Sequence, residues 1–427
     1  MANAPQADEQ RHDPVAPGTA VVDRLLDCLH QDPRRTELTL RASLAVAEWE
    51  AVFALARAHT VDALLAFRLR SRGGEDTLPA AVRQAAADAR RSGMRSGLLV
   101  RETLTRLTTA LQNGGVRVIV LKGAHLAHIV YPDPSLRAMT DVDLLVGRTD
   151  LGRAAALLRA NGCHQVAASD DDGPLADFTN HLPRFYQALP PAVELHWKLA
   201  PSDPATRTDH WHRAVPVRLA GVDTLGLCPE DLLLLVCAHA CYSHRFMFGI
   251  RPICDVAEIV RHFGGTMVWA DVVERARQHR SRRGVYLMLR LAREMLGAAV
   301  PDDVLRALSS DRADDAIRTA RFMILEGHRI CRQLPAPIVT LSSATGWPGR
   351  LRLLLRSLFP SPDRLAAHYG LPARSPTLPF YYVVRLKDLL KRHGTVVRRV
   401  LRRDAALTPI ARDMATVEDW LSKEAGI

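Results

Sequence analysis

The run Asp141-Val-Asp-Leu-Leu-Val146 constrains this chain more than any other stretch. Alternating polar and apolar residues mark a strand whose successive side chains point to opposite faces, so Asp141 and Asp143 share one face while Val142 turns into a core. Two carboxylates side by side repel unless positive charge lies between them. A fold containing this strand must therefore supply cations at that spot, from its own side chains or as an ion.

The spacing around the strand divides the chain. Residues 1–18 are polar, contain three prolines and lack apolar periodicity, which predicts a flexible tail. Over 19–115 apolar residues recur three and four apart, as in Val22, Leu25, Leu26 and Leu29, and predict a helical region. Its long helix should run from Pro79 or Ala80 to Leu111, with proline in the first turn and Asn113-Gly114-Gly115 as the stop. Residues 116–228 read as an α/β core: Arg117–Leu121 is short and β-branched, Leu151–Ala160 is helical, and Cys163–Ala167, Arg184–Ala188 and Ala192–Trp197 are extended. Helical spacing returns over 229–331, with breaks at Gly264-Gly265 and Pro301. Residues 332–427 begin as a Pro/Ser-rich connector around a short helix at Arg350–Leu358 and end in a basic helical segment. The predicted fold class is α+β, a mixed sheet flanked by N-terminal and C-terminal helical regions.

Composition excludes several functions. No apolar run approaches the ~20 residues of a membrane span, and the first ten residues hold no hydrophobic signal, so the expected setting is the cytoplasm. Seven cysteines at irregular intervals predict reduced thiols rather than a disulfide framework. Cys237, Cys241 and His244 fall on one helical face, with His239 and Cys254 nearby. Without a Cys-x-x-Cys pair they read as a buried helix using cysteine as a small apolar residue, not as a zinc site. Arg251 and Asp255, one turn apart, predict an internal ion pair. The net charge is +11, and residues 346–427 hold 15 basic against 7 acidic side chains. The stretch 380–403 could contact nucleic acid or anionic lipid; the preferred reading packs its Leu/Val stripe on the domain and leaves its arginines in water.

Around the Asp strand stand Leu121-Lys122-Gly123, Arg137 and, about fifty residues later, Val193-Glu194-Leu-His196. If the Glu strand neighbours the Asp strand, Asp141, Asp143 and Glu194 form one cluster of oxygen ligands suited to Mg²⁺. Two ions held there would bind a triphosphate, stabilise leaving pyrophosphate and activate an acceptor hydroxyl, with Glu194 as third ligand or base. Gly123 would let the backbone approach a phosphate, and Lys122 and Arg137 would offset phosphate charge. His196 either lines this pocket or holds a backbone carbonyl.

At these residues the sequence resembles the nucleotidyltransferase superfamily related to DNA polymerase β, whose signature is a glycine motif, a two-Asp strand and a later third carboxylate. More closely, Leu-Lys-Gly, Tyr131, Arg137, Asp-Val-Asp-Leu-Leu-Val, Glu-Leu-His-Trp, Cys228-Pro-Glu-Asp-Leu-Leu-Leu, His239, His244, Asp255 and Trp269 are similar to the uncharacterised bacterial nucleotidyltransferases, over roughly residues 40–390. The resemblance implies a polymerase-β-like sheet and an NTP donor. Members of that family are often associated with gene clusters for peptides and other natural products, so a small-molecule or peptide acceptor is expected. The alternatives are a non-catalytic nucleotide sensor or partner-binding protein on a decayed transferase fold, and an RNA-directed transferase using the basic C-terminus. Two departures stand out: Gly123 is followed by Ala124 rather than Ser or Gly, and the eighteen residues from Gly123 to Asp141 imply an inserted loop at Tyr131–Thr140. Oligomeric state, the NTP base and the acceptor are not encoded in any readable pattern.

Overall fold

The computed structural model describes residues 18–42, 44–165, 180–200, 208–311 and 313–327, with 359, 362, 365–366, 375–388, 414 and 416–422. Seven strands form one mixed sheet: β1 (Val118–Val120), β2 (Asp141–Val146), β3 (His164–Gln165), β4 (Phe185–Tyr186), β5 (Ala192–His196), β6 (Val215–Leu219) and β7 (Val222–Gly226). Their order is β3-β4-β5-β2-β1-β7-β6. In the centre, β2 runs antiparallel to β1 and parallel to β5.

Strand alternation gives the sheet two different faces. Val118, Val120, Val142, Leu144, Val146, Val193 and Leu195 pack in one core with Leu104, Leu107 and Leu111 of the Ala80–Asn113 helix and Leu158 of the Leu151–Ala160 helix. Ile119, Leu121 and Leu145 point the other way, into a second core built jointly by helices before and after the sheet. The Ala80–Asn113 helix joins the two. At ~1.5 Å per residue its 34 residues span ~50 Å, with Val82, Ala86 and Ala89 in the second core and its C-terminal half under the sheet. The α+β class and the flanking helical regions follow directly from this layering.

The structure adds a hairpin that the predicted elements lack. β6 and β7 are joined at Ala220 and Gly221, whose φ angles of 53° and 88° are those of a type I′ turn. The hairpin extends the sheet because β7 pairs in parallel with β1. A local signal existed: Val215, Val217 and Leu219 alternate with exposed Pro216 and Arg218 ahead of Ala-Gly. The described start of the basic segment also differs from expectation. In the described helix at 378–388, Tyr381 and Tyr382 pack on Leu365, Ala366 and Leu378, while Val383 is 63% exposed and Leu386 is exposed as well. The expected short helix at 350–358 and residues 389–403 lie outside the described residues. No described helix is long and apolar enough to cross a membrane.

Cys28, Cys237, Cys241 and Cys254 are buried, and burial pushes their thiols up, that of Cys28 to about 12. Only the thiolate attacks, so iodoacetamide should label these four at least about a hundredfold more slowly in the native protein than in the urea-unfolded chain. Peptide mapping after timed labelling checks this.

Candidate active site

The site is built by the pairing of β2 with β5. Their parallel register sets Asp143 opposite Glu194 and Leu145 opposite His196. Asp141 lies two residues before Asp143, and His196 two after Glu194, so all four side chains project from one face. Asp143, Glu194 and His196 offer ligand atoms that lie within 4.8 Å of one another. Among the described residues this is the group with metal-binding geometry; Cys237, Cys241 and His244 do not form one.

The protein's own cations answer the repulsion inherent in this cluster. Lys122 follows β1, where the Leu121 N–H donates to the Asp143 carbonyl at 3.0 Å. Its φ of 43° places a non-glycine residue in the left-handed region, a strain of order 1–3 kcal/mol that the surrounding core must hold. The buried ammonium donates to Asp143 Oδ1 at 2.8 Å. His196 Nε2 lies 2.8 Å from the same oxygen. The Asn180 amide nitrogen, which donates to the Leu199 carbonyl, faces His196 Nδ1 at 3.3 Å. With Nδ1 accepting, the proton sits on Nε2 and is directed at Asp143. Arg184 donates Nε to Glu194 Oε1 at 3.0 Å and Nη2 to that same oxygen, while Nη2 also stands 3.4 Å from Asp141 Oδ2.

These contacts separate the carboxylates chemically. Burial favours the neutral form of Asp143, but the Lys122 charge and the His196 hydrogen bond hold it well below the usual carboxylate range. Glu194 is treated likewise: burial works against its charge, yet hydrogen bonds from His196 and Arg184 bring it to about 2. Asp141 moves upward through burial and the negative charges of Asp143 and Glu194. Three carboxylates thus face two basic side chains, Lys122 and Arg184. The described hydrogen bonds to Asp143 converge on Oδ1 and leave Oδ2 available. Residual negative charge and hard oxygen donors fit a divalent cation. His196, whose Nε2 stands 2.8 Å from Asp143 Oδ1 and 3.5 Å from Glu194 Oε2, shares its proton between the two carboxylates, orients them and does not hold a backbone carbonyl.

Arg137 is placed differently from the expectation. Its Nε and Nη2 form a fork on Asp255, at 2.9 and 2.8 Å, and the Tyr131 hydroxyl donates to Asp255 Oδ1 at 2.8 Å. The predicted Arg251–Asp255 ion pair is therefore not formed; Asp255 pairs with Arg137 of the inserted loop. Both arginines still line the cleft together with Lys122 and the carboxylates. A Cβ on Gly123 would stand 2.6 Å from Arg137 Nη1, so the glycine makes room for this guanidinium.

The cleft above the carboxylates has a volume of about 1150 Å³. Its far wall carries His239 and His244, edge to face with ring centroids 4.2 Å apart, and Phe248, 4.3 Å from His244. Burial and the Lys122 charge hold both histidines down, His244 at about 4, so they are neutral at pH 7. A short π-helical stretch, His239–Ser243, shapes this wall, and another, Leu126–Val130, follows Lys122–His125. Arg184 and Asn180 were not among the expected site residues. Arg184 begins a predicted extended run, but in so arginine-rich a chain nothing local marks it.

Residues 45–297 match the family described as uncharacterised nucleotidyltransferase, more than half of the chain, and the chain belongs to that family. No curated protein and no solved structure gives a match.

Asp255 neutralises a cation held in a nearly dry setting, so its removal should be costly. Asp255→Asn should destabilise the protein by about 3–5 kcal/mol in urea unfolding, and pairing Arg137→Met with Asp255→Leu should recover most of the loss.

Proposed function

We propose that the chain is a Mg²⁺-dependent nucleotidyltransferase that moves a nucleoside monophosphate from an NTP to a hydroxyl or similar acceptor on a small molecule or peptide. The observation that carries this reading is the in-register opposition of Asp143 and Glu194, with Asp141 on the same face. Family membership supports the general activity. Two divalent ions held by Asp141, Asp143 and Glu194 would stabilise the leaving pyrophosphate and lower the pKa of the acceptor hydroxyl.

The chain's own residues then divide the remaining work. Glu194, held at about 2, is a poor proton acceptor and a good ligand, which favours the ligand role over the base role. Asp141, more exposed and pushed upward, is the carboxylate least satisfied by its neighbours and gains most from a cation. Lys122 and His196 keep Asp143 ionised and fixed in orientation. Arg184 has the more adaptable role: its side chain is 42% exposed, against 10% for Lys122, so it can yield Asp141 and Glu194 to an ion and turn to the substrate. The cleft slightly exceeds the ~300–1,000 Å³ of a typical single-ligand pocket, which supports donor and acceptor meeting there. The setting we propose, following the family resemblance, is natural-product biosynthesis.

Incubation with each NTP, Mg²⁺ and a pool of hydroxylated acceptors should release pyrophosphate and add a nucleotide-sized mass to one acceptor. Asp141→Ala should cut that release by more than about a hundredfold. The melting temperature should hold or rise, because a repelled charge has been removed. Undiminished release from a folded Asp141→Ala protein would reject the proposal.

A further inference from the structure

Arg251 is a guanidinium on the cleft wall that forms no ion pair with a carboxylate among the described residues. It opens the Arg251–Phe263 helix and lines the same cleft as Lys122, Asp141 and Asp143. Its Nε is buried and meets no acceptor among the described residues. Its Nη1 reaches the Ala138 carbonyl at a long 3.4 Å, and Arg137 Nη1 stands at 3.4 Å from that same carbonyl. Two guanidinium edges thus converge on one weakly held acceptor. Asp255, one turn along the helix, is already taken by the Arg137 fork and the Tyr131 hydroxyl. The Phe248 ring centroid lies 4.7 Å from Arg251 Cζ, a cation–π contact.

Burial and the neighbouring Arg137 act against positive charge here and outweigh the nearby Asp255, Tyr131 and Asp141. The first turn of a helix is the positive end of its dipole. Burial and the neighbouring Arg137 bring Arg251 down to about 10. A buried cation left uncompensated is unfavourable, and evolution of a stable fold alone would replace it with an apolar side chain. A bound anion removes the imbalance, and a forked guanidinium suits phosphate oxygens.

We infer that Arg251, with the Nη1 edge of Arg137, binds the terminal phosphates of the donor, the portion that departs as pyrophosphate. The nature of the anion rests on the transfer reading above; the presence of an anion site does not. Arg251 acts as a binding residue that sets the donor's direction, with its phosphates between the helix start and the carboxylates.

Pyrophosphate binding to the full chain, measured by calorimetry with Mg²⁺ present, tests this. Arg251→Met should weaken pyrophosphate at least about tenfold. Nucleoside monophosphate binding should stay unchanged, Arg251→Lys should keep part of the affinity, and pyrophosphate should compete with NTP. The ligand-free Arg251→Met protein should melt at a higher temperature than the parent, the reverse of what a purely structural arginine would give. Unchanged pyrophosphate affinity in folded Arg251→Met, or pyrophosphate that binds alongside NTP, overturns the assignment. Arg251-dependent pyrophosphate binding in a protein that turns over no NTP supports the site and rejects the transfer reading. NTP turnover with pyrophosphate affinity indifferent to Arg251 rejects the site and keeps that reading.

Discussion

The repulsion among Asp141, Asp143 and Glu194 is the constraint on which the rest of this structure turns. Parallel pairing of β2 and β5 forces Asp143 and Glu194 into direct opposition. That arrangement persists only because Lys122, His196 and Arg184 are aimed at the same few oxygen atoms. Much of the local architecture follows from meeting that need. The backbone at Lys122 is held in an unfavourable region so that its ammonium reaches Asp143. Asn180 fixes the histidine ring that donates to the same carboxylate. A sheet designed for stability alone would carry valines at these positions; the carboxylates make sense as a place where a cation is received.

The inserted loop between Gly123 and β2 connects this charged face to the helices beyond it. Tyr131 and Arg137 both reach Asp255 of the Arg251–Phe263 helix, so the sheet and the following helices form two walls of one cleft. The shared core reinforces that connection. Ile119 and Leu145 from the sheet pack in the same cluster as Ile253 and Val256 from the helix. One wall is thereby acidic and the other carries arginine and neutral aromatic rings. That polarity suits a ligand with a cation-bridged phosphate end and an apolar ring.

Local pattern made part of this legible in the sequence. The long helix through Leu111, the Leu151–Ala160 helix and the Asp141–Val146 strand are each written in the spacing of their own residues, and each is found. The hairpin at 215–226 was harder to read, because half-exposed strands of five residues carry a weak apolar signal. The site divides along the same line. Asp141, Asp143 and Glu194 are conspicuous because acids in apolar strands need a reason. Arg184 and the Arg137–Asp255 pair are not, since their meaning depends on partners far away in the chain. Asp255 is 118 residues from Arg137, and among abundant arginines nothing local tells which carboxylate it meets. The expected Arg251–Asp255 pair was the nearer choice in sequence, but the loop arginine holds that carboxylate through two parallel hydrogen bonds with good geometry.

Anomalous X-ray scattering from crystals of the protein soaked in Mn²⁺ is the most direct measurement of the central claim. A peak at coordination distance from both Asp143 and Glu194, with Arg184 drawn away from Asp141, is the predicted result. A metal bound elsewhere, or none at saturating concentration with the Lys122–Asp143 and Arg184–Glu194 contacts unaltered, would mean that the acidic face is neutralised by the protein alone and serves no ion.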